Sequence, residues 1–392
     1  MRLAALILGW TMAAWGGICP ANYGWYQSYT VAAGQITGTL TDFPAVLPIS
    51  NTNWKTTGNG GKSADPGAQG YDIVVTDGAN LMQFELEGHG GSSTTYDGTA
   101  GSAVIWVRIP SAAVGSIVYV CMGNSSISTY QGSTNADATH SAWASKFLAV
   151  WHLNNGSTAS YADATPNGYN GTNTSTTATS SGQVDGAIAL SGSSQYVSVA
   201  QSANALTPAN FTLEGWVYSG GQTAYQTPFA EPRSPGAAYD FAVKLDSGSS
   251  GNKMRCYAYK GNSGTLIGPI SESGTFSTST WYHYACKWDG TNLVLYRNGA
   301  NVGSTTGTGS ANTDGGTYTF SIGYNNYSGT PQGFWNGRLD EVRLQNVGQS
   351  DAWIAATYNN ASAPATFWTV GSLTPYSPST KVARRLISGG GN

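Results

Sequence analysis

The polar loop Asp163-Ala-Thr-Pro-Asn-Gly-Tyr-Asn-Gly has the residue types and spacing of a cation site. Oxygen-bearing side chains at its first, third and fifth positions, followed by a glycine, are typical of loops that wrap around calcium. Asp163, Asn167 and Asn170 are the candidate side-chain ligands. Thr174 stands where an EF-hand has its bidentate glutamate, so the loop is not an EF-hand. The alternative is a metal-free loop in which Asp163 accepts hydrogen bonds from backbone amides.

Asp340 is the candidate fourth ligand of the same cation. It follows Gly-Arg-Leu in a strand-like segment whose end could reach the edge of the domain where the polar loop lies. The alternative is a structural role, in which Asp340 bonds backbone groups or Arg338. Calcium is therefore the only cofactor that the sequence indicates.

A second kind of chemistry is suggested by the aromatic residues, which make up 12% of the chain and include 13 Trp and 23 Tyr. Sugar rings stack on exposed aromatic rings, and neutral amides hydrogen-bond their hydroxyl groups; such sites join an apolar face to a few fixed polar groups. Tyr324, Asn325, Tyr327 and Trp335 form the best candidate ligand-binding segment, with Tyr169 as a second location. The alternative is that these rings pack in the core.

Sequence patterns that indicate catalysis are weaker than those that indicate binding. A glucanase needs two carboxylic acids that act as acid and nucleophile. Glu85 and Glu87 have suitable spacing, but we interpret them as the solvated face of a strand. Asp340 and Glu341 are adjacent and should point to opposite faces of a strand. The hydrolase pattern Gly-x-Ser-x-Gly is absent, and no histidine lies in a His-Glu-x-x-His segment. We interpret all four histidines as surface or core residues: His89, His140, His152 and His283. The sequence therefore predicts that the protein is not an enzyme.

The overall charge argues against two classes of partner. Only 9% of residues are charged, the net charge is -3, and no basic stripe precedes the last residues. Nucleic-acid binding needs a cationic surface, and so does binding to an anionic membrane. We therefore expect neither nucleic acid nor membrane insertion.

Short strand-like segments position these candidate residues. Runs rich in Val, Ile, Tyr and Trp alternate with turns of Gly, Ser and Asn, which predicts an all-β protein. The length of 392 residues suits two domains. We predict two β-sandwich domains: an accessory domain over residues 22–135, then a linker over 136–146 and a jelly roll over 147–371. A disordered tail is predicted over 372–392. A short helix is expected from Ser350, which is a good N-cap residue.

The N-terminus reads as a signal peptide over residues 1–21, which predicts a secreted or cell-surface protein. Arg2 precedes a run of about 13 apolar residues, too few to span a bilayer, and small residues follow. Cleavage after Ala21 is predicted, and cleavage nearer Gly17 is the alternative. A buried N-terminal strand or helix is also possible.

The cysteines fit export as well. Cys256 and Cys286 lie in two strand-like segments, so a cross-strand disulfide is a reasonable expectation in an exported protein. The alternative is two buried thiols. Removal of residues 1–21 would take away Cys19 and leave an odd number of cysteines, including Cys121.

Several motifs occur in an order that resembles a known family. They are Asp185-Gly-Ala-Ile-Ala-Leu, Phe211-Thr-Leu-Glu-Gly-Trp-Val, Trp281-Tyr-His-Tyr-Ala-Cys-Lys-Trp and Phe334-Trp-Asn-Gly-Arg-Leu-Asp-Glu-Val-Arg-Leu. Together they resemble the laminin-G-like jelly rolls of the concanavalin A-like lectin/glucanase superfamily, over roughly residues 147–360. The resemblance implies a domain that binds carbohydrate or another cell-surface ligand, often with calcium in a loop like the one at Asp163.

The first half resembles a bacterial domain of unknown function that often precedes such jelly rolls. The resemblance covers about residues 23–130 and includes Gly70-Tyr-Asp-Ile-Val-Val-Thr-Asp and Ala103-Val-Ile-Trp-Val-Arg-Ile-Pro. Residues 362–371 also resemble the segment that closes this tandem.

We therefore predict a secreted, non-catalytic module that recognises carbohydrate or a cell-surface glycoconjugate, with calcium as a possible aid. The alternative is a structural or adhesive component of an envelope, matrix or phage tail that binds protein partners. A glycan-active hydrolase is the third hypothesis.

Overall fold

A computed structural model gives the fold of the chain. It describes residues 17–65, 69–87, 96–132, 141–143, 145–154, 161–202, 205–222, 225–232, 240–246, 252–260, 265–311, 319–327 and 329–377. Among them are 25 strands and two α-helices, which confirms the all-β prediction. No helix in these ranges is long and apolar enough to cross a membrane.

The first domain is a small β-sandwich. Its strands are β1 (Trp25–Val31), β2 (Leu40–Ser50), β3 (Val74–Thr76), β4 (Phe84–Leu86), β5 (Ser102–Ala112) and β6 (Ile117–Met122), with 3₁₀ turns at Thr52–Trp54 and Thr57–Asn59. One sheet contains β1, β6 and β3, and the other has the order β2-β5-β4. Side chains such as Val120 and Ile105, from the two sheets, share one apolar core.

The second domain is a larger sandwich of two sheets. Its strands are β7 (Phe147–Trp151), β8 (Gly171–Thr174), β9 (Thr177–Thr179), β10 (Ala187–Ser191), β11 (Tyr196–Val199), β12 (Phe211–Ser219), β13 (Gln226–Glu231), β14 (Phe241–Asp246), β15 (Lys253–Lys260), β16 (Thr265–Ser271), β17 (Trp281–Trp288), β18 (Asn292–Arg297), β19 (Ala300–Thr306), β20 (Phe320–Ile322), β21 (Asn325–Tyr327), β22 (Thr330–Gln332) and β23 (Asn336–Gln345). An eight-stranded sheet runs β19-β18-β17-β12-β23-β10-β9, with β7 beside β23. A seven-stranded sheet runs β16-β15-β14-β13-β20-β11-β8, and β21 and β22 form a hairpin.

The C-terminal segment returns to the first domain, which corrects the predicted boundary at residue 371. After the jelly roll come α1 (Asp351–Ser362), α2 (Pro364–Phe367), β24 (Trp368–Val370) and β25 (Thr374–Pro375). Both β24 and β25 pair antiparallel with β1. The open edge of β1 accepts these strands, so residues 372–377, predicted as disordered, are ordered. Residues beyond 377 lie outside the described part of the chain.

Helix α1 also contacts the first domain, at the edge strand β2 of its other sheet. Ser350 is its N-cap, as predicted, and accepts a hydrogen bond from the Trp353 amide. The Asn360 side chain accepts from the Val46 amide at 2.7 Å and donates to the Val46 carbonyl at 3.0 Å. The indole of Trp368 donates to that carbonyl as well, at 2.7 Å. The side chains of Asn360 and Trp368 thus satisfy the amide and carbonyl of Val46, which would otherwise be unpaired at the free edge of the sheet.

Two disulfides link the strands. The bond between Cys256 and Cys286 joins the two sheets of the jelly roll and confirms the prediction. The other joins Cys19 to Cys121 on β6. It contradicts cleavage after Ala21, because Cys19 belongs to the folded domain and is 1% exposed. A signal peptide that ends nearer Gly17 stays a prediction.

The outer face of the eight-stranded sheet is covered by the first domain. Trp216 and Tyr296, which point away from the jelly-roll interior, belong to the same apolar core as the first sandwich and α1. The predicted linker contributes to this contact between the domains. Its Trp143 is 2% exposed and packs on Trp106 and Phe147 at ring distances of 5.4 and 5.1 Å. The segment is therefore not a solvated linker, because a large apolar ring fills the space between the domains.

Candidate functional site

The carboxylate of Asp163, the first predicted calcium ligand, is fully occupied by hydrogen-bond donors. Its Oδ1 accepts from the amides of Val150 and Thr165 at 3.0 and 2.9 Å, and its Oδ2 accepts from the Thr165 hydroxyl and the Tyr169 amide, each at 2.9 Å. Four donors use all four lone-pair positions of a carboxylate. Asp163 thus closes the loop without a metal, as in the metal-free alternative, and its role as a calcium ligand stays a prediction that these hydrogen bonds do not favour.

The other predicted ligands do not gather around Asp163 either. The Asn170 oxygen accepts from the Asp163 amide at 2.9 Å, and the Asn167 side-chain amide donates to the Leu148 carbonyl at 2.9 Å. Asp340 is buried and its Oδ2 accepts from the amides of Gln183 and Val184. The side chains of Asn170, Asn167 and Asp340 each bond to backbone groups of the protein. These contacts do not favour calcium at the loop, which stays a prediction.

The predicted sugar-stacking rings are buried where the structure describes them. Tyr324 is 1% exposed, contacts Tyr196 at a ring distance of 4.2 Å and shares a hydrogen bond with Thr319. Trp335 is 0% exposed and donates to the Tyr218 carbonyl at 3.3 Å. These two rings are therefore unavailable as stacking platforms. The Tyr327 side chain lies outside the described part of the structure.

An accessible aromatic face lies instead on the seven-stranded sheet. Strands β14 and β15 alternate strictly: Val243, Leu245, Met254, Cys256 and Ala258 enter the jelly-roll core. The intervening residues point to the outer face, and cross-strand pairing places Lys244 beside Arg255 and Ala242 beside Tyr257. We call Tyr225, Lys244, Asp246, Arg255 and Tyr257 the tyrosine face.

The geometry of the tyrosine face combines rings with charges. The Tyr225 side chain is 54% exposed, and the Lys244 ammonium lies 4.7 Å from the centre of its ring. The same ammonium lies 5.9 Å from the ring of Tyr257. Arg255 forms an ion pair with Asp246 at 2.6 Å. Burial lowers the pKa of Lys244. The face therefore offers apolar ring surface beside hydrogen-bond donors and an acceptor.

Several buried polar atoms without partners belong to residues that follow Tyr225 in the chain or to the neighbouring hairpin. Both polar atoms of the Gln226 side chain, the Thr227 hydroxyl and the carbonyl oxygens of Asn325 and Asn326 are buried and make no hydrogen bond. Gln226 and Thr227 directly follow Tyr225, and the hairpin strand that carries Asn325 contacts β13. Buried polar groups are almost always satisfied in native proteins, so we expect these atoms to contact water or a ligand. Asn325 was a predicted ligand contact, and that role stays a prediction.

A second cluster lies between the two domains and includes two residues that we interpreted as solvated. Glu85 and Glu87 are 8% and 0% exposed and face the jelly roll. His152 Nδ1 lies 2.7 Å from Glu341 Oε1 and 3.7 Å from Glu87 Oε2, and its Nε2 lies 3.5 Å from Glu85 Oε1. Arg343 pairs with the second oxygen of Glu341 at 2.6 Å. We call these five residues the interdomain cluster. The solvated-face interpretation is wrong because the second domain covers that face of β4.

A bulge in β23 brings Glu341 into this cluster. Its φ of 52° is left-handed, and the pairing of β12 with β23 shifts at this point. Asp340 pairs with Trp216 and Arg343 with Glu214, so two residues of β23 face the single Gly215. The extra residue turns both Asp340 and Glu341 away from the core. The expectation that they point to opposite faces is therefore wrong.

Indole rings and charge shape the environment of the cluster. The indole N–H groups of Trp106 and Trp143 donate to Glu87 and Glu85 at 2.7 and 2.6 Å. Burial by itself lowers the pKa of His152, but the three surrounding carboxylates outweigh it and raise that pKa well above its usual value. Burial raises the pKa of Glu87 well above its usual value.

A neighbouring buried pair, Glu214 and His283, leads to a prediction about pH. Burial raises the pKa of Glu214 to about 7 and lowers that of His283 to about 3. Between pH 4.5 and 7 the unfolded chain releases the Glu214 proton while the folded chain keeps it, so this group makes the protein less stable as pH rises. Glu214→Gln should match the wild type near pH 4 and be about 3 kcal/mol more stable near pH 8.

Urea unfolding of both proteins from pH 4 to pH 8 measures this difference. Other titrating groups are shared by the two proteins and cancel in the comparison. A constant difference across this pH range would show that Glu214 is ionised in the folded protein near neutral pH.

A family comparison supports the interpretation of the second domain. Residues 191–355 match the concanavalin A-like lectin/glucanases superfamily, in its laminin-G group. The predicted laminin-G-like jelly roll is thereby confirmed for this part of the chain. The resemblance of the first domain stays a prediction. No curated protein sequence matches the chain significantly.

Solved structures are similar to this chain at low identity. Domain 4 of AbnA, a GH43 extracellular arabinanase from Geobacillus stearothermophilus in complex with arabinotriose, is 18% identical, with a TM-score of 0.41, over 54% of this chain and 97% of that one. The CBM40 of the Ruminococcus gnavus IT-sialidase, bound to α2,3-sialyllactose, is 12% identical, with a TM-score of 0.34, over 39% and 83% of the two chains. A SAP-like pentraxin from Limulus polyphemus is 18% identical, with a TM-score of 0.31, over 38% and 70%.

Proposed function

Because residues 191–355 form a domain of the concanavalin A-like lectin/glucanase superfamily, we propose that the protein is an extracellular binding module that recognises carbohydrate through the tyrosine face. The observation that carries the proposal is the exposed ring of Tyr225 beside Lys244, Arg255 and Asp246 on the outer face of the seven-stranded sheet. The outer face of the other sheet is covered by the first domain. The two disulfides suit an oxidising, extracellular environment.

The chemistry of the face matches that of a sugar. A pyranose or furanose ring presents C–H groups on one side, which pack on an aromatic ring, and hydroxyl groups at its edge. Tyr225 supplies the ring, Lys244 and Arg255 supply donors, and Asp246 supplies an acceptor. Apolar surface with a few fixed polar groups is the usual composition of a small-molecule site.

Replacement of Tyr225 by alanine tests the site. We expect the wild type, with Cys19 retained, to bind at least one class of glycan on an array. Tyr225→Ala should weaken that binding about tenfold or more, since the loss of a central aromatic contact commonly costs more than 1 kcal/mol. Titration calorimetry with the best glycan of the array gives the dissociation constants.

The matched control is Tyr218→Ala. Tyr218 also lies under a cation, with the Arg338 guanidinium 4.7 Å from its ring, but it belongs to the eight-stranded sheet. This variant should bind glycan like the wild type. Equal loss in both variants would reject the tyrosine face. No binding of the folded wild type to any glycan would reject carbohydrate recognition and favour a protein partner.

A further inference from the structure

We propose that the interdomain cluster is a binding site for one divalent transition-metal ion, held by His152, Glu87 and Glu341. One ligand comes from the first domain and two come from the jelly roll, so the ion would join the two domains. The proposal does not depend on carbohydrate binding.

The three ligand atoms are already close together. One atom each of Glu87, His152 and Glu341 lies within 4.8 Å of the other two, and all three residues are buried. Two atoms bound to one zinc ion at about 2.0–2.2 Å lie at most about 4.4 Å apart. Small side-chain rotations are therefore enough to bring the three onto one ion. Imidazole nitrogen with carboxylate oxygens is a donor set for Zn²⁺ or Mn²⁺.

Each ligand is oriented by an outer contact. With Nδ1 of His152 on the ion, Nε2 would carry the proton and point to Glu85, 3.5 Å away. A carboxylate behind a ligating histidine is a common feature of metal sites, because it fixes the tautomer and the ring orientation. Arg343 donates a hydrogen bond to the Glu341 oxygen that does not contact His152, and the indole of Trp106 donates one to Glu87.

An unpartnered buried atom beside the cluster is an independent sign of a missing ligand. Asn154 is 1% exposed; its amide nitrogen contacts Glu87 while its carbonyl oxygen has no partner. That oxygen is available as a fourth ligand. Native proteins rarely leave such atoms unsatisfied.

The charges of the cluster balance with a divalent ion. The carboxylates of Glu85, Glu87 and Glu341 carry three negative charges when ionised, and Arg343 carries one positive charge. A neutral His152 as ligand adds none. A dication brings the sum to zero, whereas buried charge without compensation is strongly unfavourable.

Metal content of the purified full-length protein tests the site. The protein is prepared without a metal-affinity tag, stripped with chelator and titrated with Zn²⁺ or Mn²⁺; mass spectrometry of bound metal and Co²⁺ absorption are the readouts. We expect one equivalent per chain for the wild type. Glu87→Gln and Glu341→Gln should bind at least tenfold more weakly, and Glu85→Gln about 10–100-fold more weakly, as expected for an outer contact.

The control is Glu214→Gln, a buried glutamate on the same sheet face outside the cluster. It should bind one equivalent like the wild type. A folded wild type that binds none of the three ions would overturn the proposal. So would full metal binding by folded Glu87→Gln and Glu341→Gln. If these two variants fail to fold, unchanged affinity in Glu85→Gln would count against the proposed geometry.

Discussion

Replacement of Arg343 by methionine is expected to lower the free energy of unfolding by about 3–5 kcal/mol in the presence of chelator, because it leaves three buried carboxylates with His152 as their remaining basic partner in the cluster. Arg343 pairs with Glu341 at 2.6 Å, and both side chains are almost completely buried. Its guanidinium also lies 4.4 Å from the centre of the Trp106 ring and 5.0 Å from that of Trp143. Methionine keeps much of the volume and removes the charge. Urea unfolding followed by tryptophan fluorescence gives the change.

Two variants show whether charge or packing causes the loss. In the Arg343→Met background, Glu341→Gln removes the stranded charge and should restore part of the stability. Arg338→Met removes a half-buried arginine of the same strand and should change stability by no more than about 1 kcal/mol. A loss below 1 kcal/mol for Arg343→Met would show that solvent reaches Glu341, and the burial assigned to the interdomain cluster would be wrong.

The fold was predictable because strand periodicity is a local property of the sequence. In β14 and β15 every second residue is apolar, and these residues form the jelly-roll core as expected. Cys256 and Cys286 lie in strands of the two facing sheets, so their pairing followed from local pattern and compartment. The N-cap at Ser350 is equally local.

The interdomain cluster was missed because alternation shows which face is polar but not what covers it. Glu85 and Glu87 lie on the polar face of β4, and that face meets the jelly roll instead of water. A signal was present in the composition. Only 9% of the chain is charged, so two glutamates two residues apart, and Glu341 close to Arg343, are unusual concentrations of charge.

The aromatic site was placed on the wrong loop for a similar reason. Residue type cannot separate a ring that packs inward from one that points outward when the segment lies in a turn. Tyr324 and Trp335 fill the core near the hairpin, whereas Tyr225 is exposed. The return of Trp368 to β1 also depends on a free sheet edge more than 330 residues away in sequence, and no local pattern contains that information.

The loss of the Cys19–Cys121 disulfide is expected to have the largest effect on the first domain. The bond closes a loop with a sequence separation of 102, and in the loop-entropy model a loop of this length stabilises by about 4–5 kcal/mol. Cys121 is fully buried on the central strand β6, and the carbonyl of Cys19 accepts a hydrogen bond from the Tyr376 hydroxyl at 2.7 Å. The disulfide therefore ties the N-terminal segment to β6, and the Tyr376 hydrogen bond ties the returning C-terminal segment to the same N-terminal segment. Cys19→Ser with Cys121→Ser should lower the free energy of unfolding by that amount.

The matched comparison is Cys256→Ser with Cys286→Ser, which opens a loop with a separation of 30. The same model gives it about 3–4 kcal/mol, so the Cys19 pair should lose more. Thiol titration of the unfolded, exported protein gives a separate check on the N-terminus. No free thiol is expected, because both pairs are closed. One free thiol per chain would mean that processing removes Cys19 and leaves Cys121 alone, which returns the cleavage site to Ala21 and withdraws the stabilising role of this bond.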